Sequence, residues 1–164
     1  MKVEIQVFDR EVMDLFRHIL HAGSDMTPVN RDISEVLRAG MELAFDREAD
    51  PNTGQKWKQL HPMTIEEREV AGNWPGKILQ RSGRLVSSLT IESGPDFAAA
   101  GTNVVYAAIQ NFGGKITPKK GSALKFGGGF FASATIPARP FAGIWPESLD
   151  EIEDLLAAFV LDDS

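Results

Sequence analysis

The chain contains no cysteine, one tyrosine and only three histidines, and each shortage closes a route to chemistry. Without cysteine there is no disulfide, no thiolate nucleophile and no Cys-ligated zinc, which suits a reducing compartment. His18 and His21 could share a helix face, but the remaining histidine, His61, precedes a proline in a loop, so no metal-ligand pattern forms. Positions near a helix C-terminus, where the dipole favours a cation, account better for that pair. Long apolar runs are missing too, and none approaches the roughly 18–20 residues of a membrane helix. The opening stretch MKVEIQVFDR alternates charged and apolar residues, unlike a signal peptide. Positive charge is short overall: the net charge of −6 argues against a dedicated DNA-binding module.

What is present describes a soluble globular chain. Its 164 residues are 43% apolar and 24% charged, enough for one domain, 1–164, with a real core. The charge is polarised. Residues 77–140 carry eight basic residues against Glu92 and Asp96, a balance of +6 that leaves −12 on the remainder. A positive middle between acidic ends suits head-to-tail association of copies, or docking on an acidic partner. A solvated surface with chance clustering is the plain alternative.

Hydrophobic spacing predicts an α+β fold, with helices at both ends around a small antiparallel sheet. Val3, Ile5 and Val7 alternate as a half-buried strand, and Val12, Leu15, Phe16, Ile19 and Leu20 mark a helix. Thr27-Pro28 opens a second helix with the stripe Ile33, Val36, Leu37, Gly40, Met41 and Ala44, where Gly40 implies close helix contact. Thr64 and Glu67 form a capping-box pattern, and Ser82 could cap another short helix carrying Leu85 and Val86. Residues Leu89 to Gly101 read as a hairpin around Gly94-Pro95-Asp96. Val104–Asn111 is expected as a short helix with Val105, Ile109 and Phe112 facing inward and Gly113 as its cap. Ile116 and Phe131–Ile136 read as strands around a Gly- and Lys-rich connection, 118–130, expected as a flexible loop or β-hairpin insertion. Pro146 begins a final amphipathic helix.

No motif anchors catalysis. Residues 71–77 have the spacing of a phosphate loop ending in Gly76-Lys77, but Ile78 stands where magnesium needs a hydroxyl. Pro75 also removes a backbone N–H from the cradle. Gly113-Gly114-Lys115 and Gly127-Gly128-Gly129 are more simply turn glycines. No nucleophile elbow and no carboxylate pair in a glycosidase context occurs, so no cofactor and no enzymatic activity are expected. Nucleic-acid binding by Lys115, Lys119, Lys120 and Lys125, with Phe126 and Phe130 stacking on bases, is the alternative function.

An ordered series of short motifs is more specific: Gly54-Gln55-Lys56-Trp57-Lys58-Gln59-Leu60, Thr64 with Arg68, and Ile78-Leu79-Gln80-Arg81-Ser82-Gly83-Arg84-Leu85. Gly101-Thr102-Asn103, Tyr106-Ala107, Ile109-Gln110-Asn111-Phe112-Gly113 and Ile136-Pro137-Ala138-Arg139-Pro140-Phe141 complete it. The series resembles the phage virion morphogenesis family, the tail-completion proteins of Mu-like and related contractile-tailed phages and prophages. That resemblance implies a non-enzymatic assembly protein that finishes the tail or joins it to the head, working as a homo-oligomer, in a ring or collar. Partners would be other tail or head–tail connector proteins, and the setting the host bacterial cytoplasm and then the virion. Trp57, Gly83, Leu85, Gly101, Tyr106, Phe112, Gly113, Pro137 and Pro140 would be structural positions, with Tyr106, Ile109 and Phe112 in the core and Gly83 allowing a close approach. Arg84 is an interface candidate or a solvent charge. Arg139, held between prolines, would form a carboxylate salt bridge within the chain or a subunit contact. Lys115, Lys119, Lys120, Lys125 and Phe126 are the other interface candidates.

Overall fold

A computed structural model describes residues 25–119, 123–126 and 129–162. The expected strand at Val3–Val7 and helix at Val12–Leu20 lie outside them. Helix α1, Thr27–Arg47, is the centre of the fold. Pro28 starts it with a preset φ, and the Asp25 carboxylate accepts hydrogen bonds from the Thr27 amide (2.9 Å) and hydroxyl (2.6 Å). The predicted stripe is buried throughout, from Ile33 to Ala44.

Two surfaces clasp α1. On one, helix α4, Pro146–Asp162, sets Ile152 and Leu156 into the core. Each such side chain contributes roughly 1.5–3 kcal/mol by leaving water. Gly40 permits the approach: a Cβ there would lie 3.4 Å from the Ser148 hydroxyl, and the Trp145 indole donates to the Gly40 carbonyl at 2.9 Å. On the other lies the hairpin of β1, Thr90–Gly94, and β2, Phe97–Gly101, in register from Thr90↔Gly101 to Gly94↔Phe97. Two fully buried polar residues of α1 fasten it. Asn30 donates to the Gly94 carbonyl at 2.7 Å, while the Ser34 hydroxyl meets both the Glu92 carbonyl and the Ala99 amide.

Between α1 and β1 along the chain come α2, Pro62–Val70, and a single helical turn, Val86–Ser88. Helix α2 starts two residues before the capping box at Thr64. Pro62 opens it, and the His61 ring accepts the Met63 amide at 3.3 Å in place of a threonine cap. The Ser82 segment makes only the turn, not an α-helix. Gly83 is needed there for its φ of +69°, because no atom approaches within 4 Å of a Cβ built on it. Leu85 enters the core.

Helix α3 spans Ala107–Phe112, shorter than expected. Strand β3, Gly114–Ile116, then pairs with β6, Ala134–Ile136, while β4, Leu124–Phe126, pairs with β5, Gly129–Phe131. The single strand expected over 131–136 is therefore two, divided between two small sheets. Helices with small antiparallel sheets make the fold α+β. No helix among the described residues is long and apolar enough to cross a membrane.

Candidate interaction surface

Part of the motif series converges on one place, the C-terminal end of α1. A helix end leaves carbonyls without intrahelical partners. Here Gln80 Nε2 donates to the Phe45 carbonyl at 3.2 Å, Lys77 Nζ to the Asp46 carbonyl at 3.1 Å, and Lys56 Nζ to the Arg47 carbonyl. Lys77 also pairs with the Asp46 carboxylate at 2.7 Å, so the lysine of the phosphate-loop look-alike braces a helix end. Glu48, left-handed at φ 50°, closes the helix through its amide to the Ala44 carbonyl and accepts the Ile78 amide with its side chain.

Trp57 and the Pro137–Phe141 segment lock onto the same node. The Trp57 indole donates to the Pro140 carbonyl at 2.7 Å, and its ring stands edge-on to Phe45 at 5.7 Å. Arg139 is 5% exposed and donates to the carbonyls of Lys58 (3.0 Å) and Gln59 (3.2 Å). The expected carboxylate partner is absent among the described residues. Prolines on either side fix the backbone so that the guanidinium enters the fold, where it is a brace between segments, not a displayed contact. Arg68 is buried too, donating to the Lys77 carbonyl at 3.0 Å. Burial lowers the pKa of both arginines, with a further push from Arg81 on Arg68 and from Arg68 on Arg139.

The outer surface is built differently. Sequence spacing puts Val105, Ile109 and Phe112 inside; the structure puts Val104, Ala107 and Asn111 there instead. Val105 is 88% exposed, Phe112 68% and Tyr106 40%, and Ile109 is half-buried. Asn111 explains the inversion. Its Oδ1 accepts the amides of Phe141 at 2.9 Å and Ala142 at 3.0 Å, so the helix must turn its polar residue inward. Gly113 reinforces that orientation. With φ +69°, it lies where a Cβ would come within 2.6 Å of the Ala138 amide. Asn111 was missed because a polar residue among apolar ones reads as solvent-facing; the signal was its place beside the small Ala107 and Ala108.

The basic candidates divide in the same way. Arg84, Lys115, Lys119 and Lys125 are exposed, while Lys120 lies outside the described residues. Lys125 stands 5.9 Å over the ring of Phe130, which is itself 72% exposed on the β4–β5 hairpin; Phe126 ends β4. On α4 the outward residues are Asp150, Glu151, Glu153 and Asp154, all exposed. No three potential metal ligands come together among the described residues, and His18 and His21 lie outside them.

A model of the phage virion morphogenesis family matches residues 7–160. The chain belongs to that family. It is 34% identical over 146 residues to a protein of Escherichia phage Mu described as capsid assembly protein G, covering 85% of this chain and 86% of that one. It is 30% identical over 160 residues to the Mu-like prophage FluMu G protein 1 of Haemophilus influenzae, covering 95% and 93% of the two chains. FluMu G protein 2 of the same organism is 27% identical over 161 residues, covering 97% of each. No solved structure matches. Membership makes this a phage structural assembly protein that works among other virion proteins.

Proposed function

We propose that this member of the family completes the phage tail or joins it to the head, acting as a non-enzymatic structural part. The observation that supports this most is the division of the molecule into a braced interior and a displayed surface. Lys56, Trp57, Ile78 and Gln80 of the motif series are spent on fixing the end of α1, whereas its Arg84, Tyr106 and Phe112 are exposed groups suited to other proteins. Deleting the gene in an inducible prophage and imaging the particles tests the reading. Separate heads and tails are expected for a joining role, and tails of aberrant length for a completion role. Normal particles would remove both.

The Lys125–Phe130 pair on the β4–β5 hairpin supports a second reading, contact with nucleic acid where it leaves the head. Affinity for single- or double-stranded DNA would then fall steeply with salt and with Lys125→Ala. No binding at low salt would remove this reading.

A further inference from the structure

Helix α3 is turned inside out by its own anchor. Asn111 and Gly113 hold it to the 138–142 segment, so Val105, Tyr106 and Phe112 face solvent and Ile109 is only half-buried. Ile109 and Phe112 are three apart on the helix, and Val105 stands in the turn just before it. Ile109 folds over Gly114, where its Cδ1 would lie 2.8 Å from an added Cβ, and Lys115 comes next. Exposed Val105 and Phe112, on either side of half-buried Ile109, are what a partner buries.

Charge indicates which partner. Lys115 and Lys119 are exposed and make no ion pair among the described residues, and they lie in the segment of +6 charge. The acidic counterpart is on the same chain. On the outer face of α4, Asp150, Glu151, Glu153 and Asp154 likewise make no ion pair among the described residues, and exposed Ala157 and Ala158 follow them. Small residues next to acidic ones let a helix approach an apolar stripe while its carboxylates meet lysines. Because the two faces differ, their pairing joins copies head to tail, and a closed ring needs that kind of contact.

We propose that the α3 stripe, Val105, Tyr106, Ile109 and Phe112 with Lys115, docks on the outer face of α4 in a second copy of this chain. The inference rests on the assembly reading and names the first partner of that surface. Sedimentation velocity of the full chain over a concentration series tests it. The wild type should form larger species as concentration rises, and added salt should weaken them. Val105→Asp with Phe112→Asp should raise the dissociation constant about thirtyfold or more, the size of a lost aromatic anchor, with an unchanged circular dichroism spectrum. Should that variant unfold, Val105→Ser with Phe112→Ser makes the same comparison. Lys115→Glu/Lys119→Glu and Asp150→Lys/Asp154→Lys should each lose association alone and regain it when mixed. A wild type that stays monomeric, or a stripe variant that assembles as before, would overturn the proposal. Mixing that restores nothing would overturn α4 as the opposing face. None of these results touches the assembly reading, which is judged on particles from the deletion strain.

Discussion

The α1–α4 layer and the α3 region obey opposite rules. In the first, the apolar stripe from Ile33 to Ala44 is buried as its spacing predicts, with Ile152 and Leu156 packed likewise, and the buried polar Asn30 and Ser34 are spent on fastening the β1–β2 hairpin. In the second, a polar asparagine is inside while valine, tyrosine and phenylalanine are outside. Burial of apolar surface positions the first; two hydrogen bonds and a glycine position the second. This orientation, fixed against the region's own hydrophobicity, is the ground on which the docking proposal for α3 stands.

The comparison breaks most severely in the core. Phe45 is fully buried between Trp57 at 5.7 Å and Phe141 at 5.0 Å. Phe45→Ala should cost about 3–5 kcal/mol, measured by denaturant unfolding, since the cavity lies where three segments meet. A loss below about 1 kcal/mol would show that the node at the end of α1 does not hold the fold together.

Asn111→Ala comes next, at about 2–4 kcal/mol. The change leaves the Phe141 and Ala142 amides without their acceptor in a buried setting. If α3 is held by that carbonyl oxygen, amide exchange at Phe141 and Ala142 should accelerate before exchange in α1 does. Uniform acceleration along the chain would mean that packing, not the asparagine, orients α3.

These two regions also explain what was legible in the sequence. The starts of α1 and α4, the β1–β2 hairpin and Gly40 as a contact point followed from spacing and turn residues, because burial dominates there. The family followed from the motif series. The inward face of α3 did not, because six helical residues give too short a period for side-chain polarity to outweigh a tertiary hydrogen bond. The partners of Arg139 were not legible for a related reason. A guanidinium can be satisfied by backbone carbonyls, here those of Lys58 and Gln59, which lie about eighty residues away in sequence and announce nothing. The start of α2 shows a smaller conflict, in which the fixed φ of Pro62 prevailed over a capping box.

A gentler test uses pH on the α1–α4 layer. The carboxyl of Asp25 is held below its usual range by the Thr27 hydroxyl and then the Thr27 amide. That of Glu147 is lowered by its own backbone amide and then by Arg47, 2.6 Å away. A depressed folded-state pKa adds stability above the unfolded value, and that stability is lost as pH falls through the folded value. The melting temperature should therefore decline as pH drops below the ordinary carboxylate value of about 4. Asp25→Asn and Glu147→Gln should flatten the decline. Both groups are exposed, so the effect is small, and an unchanged slope would mean that water screens them fully.

The smallest expected effect discriminates most sharply, because it comes from two adjacent valines. Val104 is 6% exposed and Val105 is 88% exposed. Val104→Ala should cost roughly 1–3 kcal/mol through lost burial and an unfilled space. Val105→Ala should stay within about 0.5 kcal/mol of wild type, as substitutions at exposed sites do. Chemical denaturation at low protein concentration, where copies are apart, gives both numbers on the same footing. Equal losses would mean that Val105 is covered within its own chain, and the stripe could then not be offered to a partner. A loss at Val104 alone leaves Val105 with no structural work in the monomer, so a penalty that appears for Val105→Ala only at high concentration belongs to contact between copies.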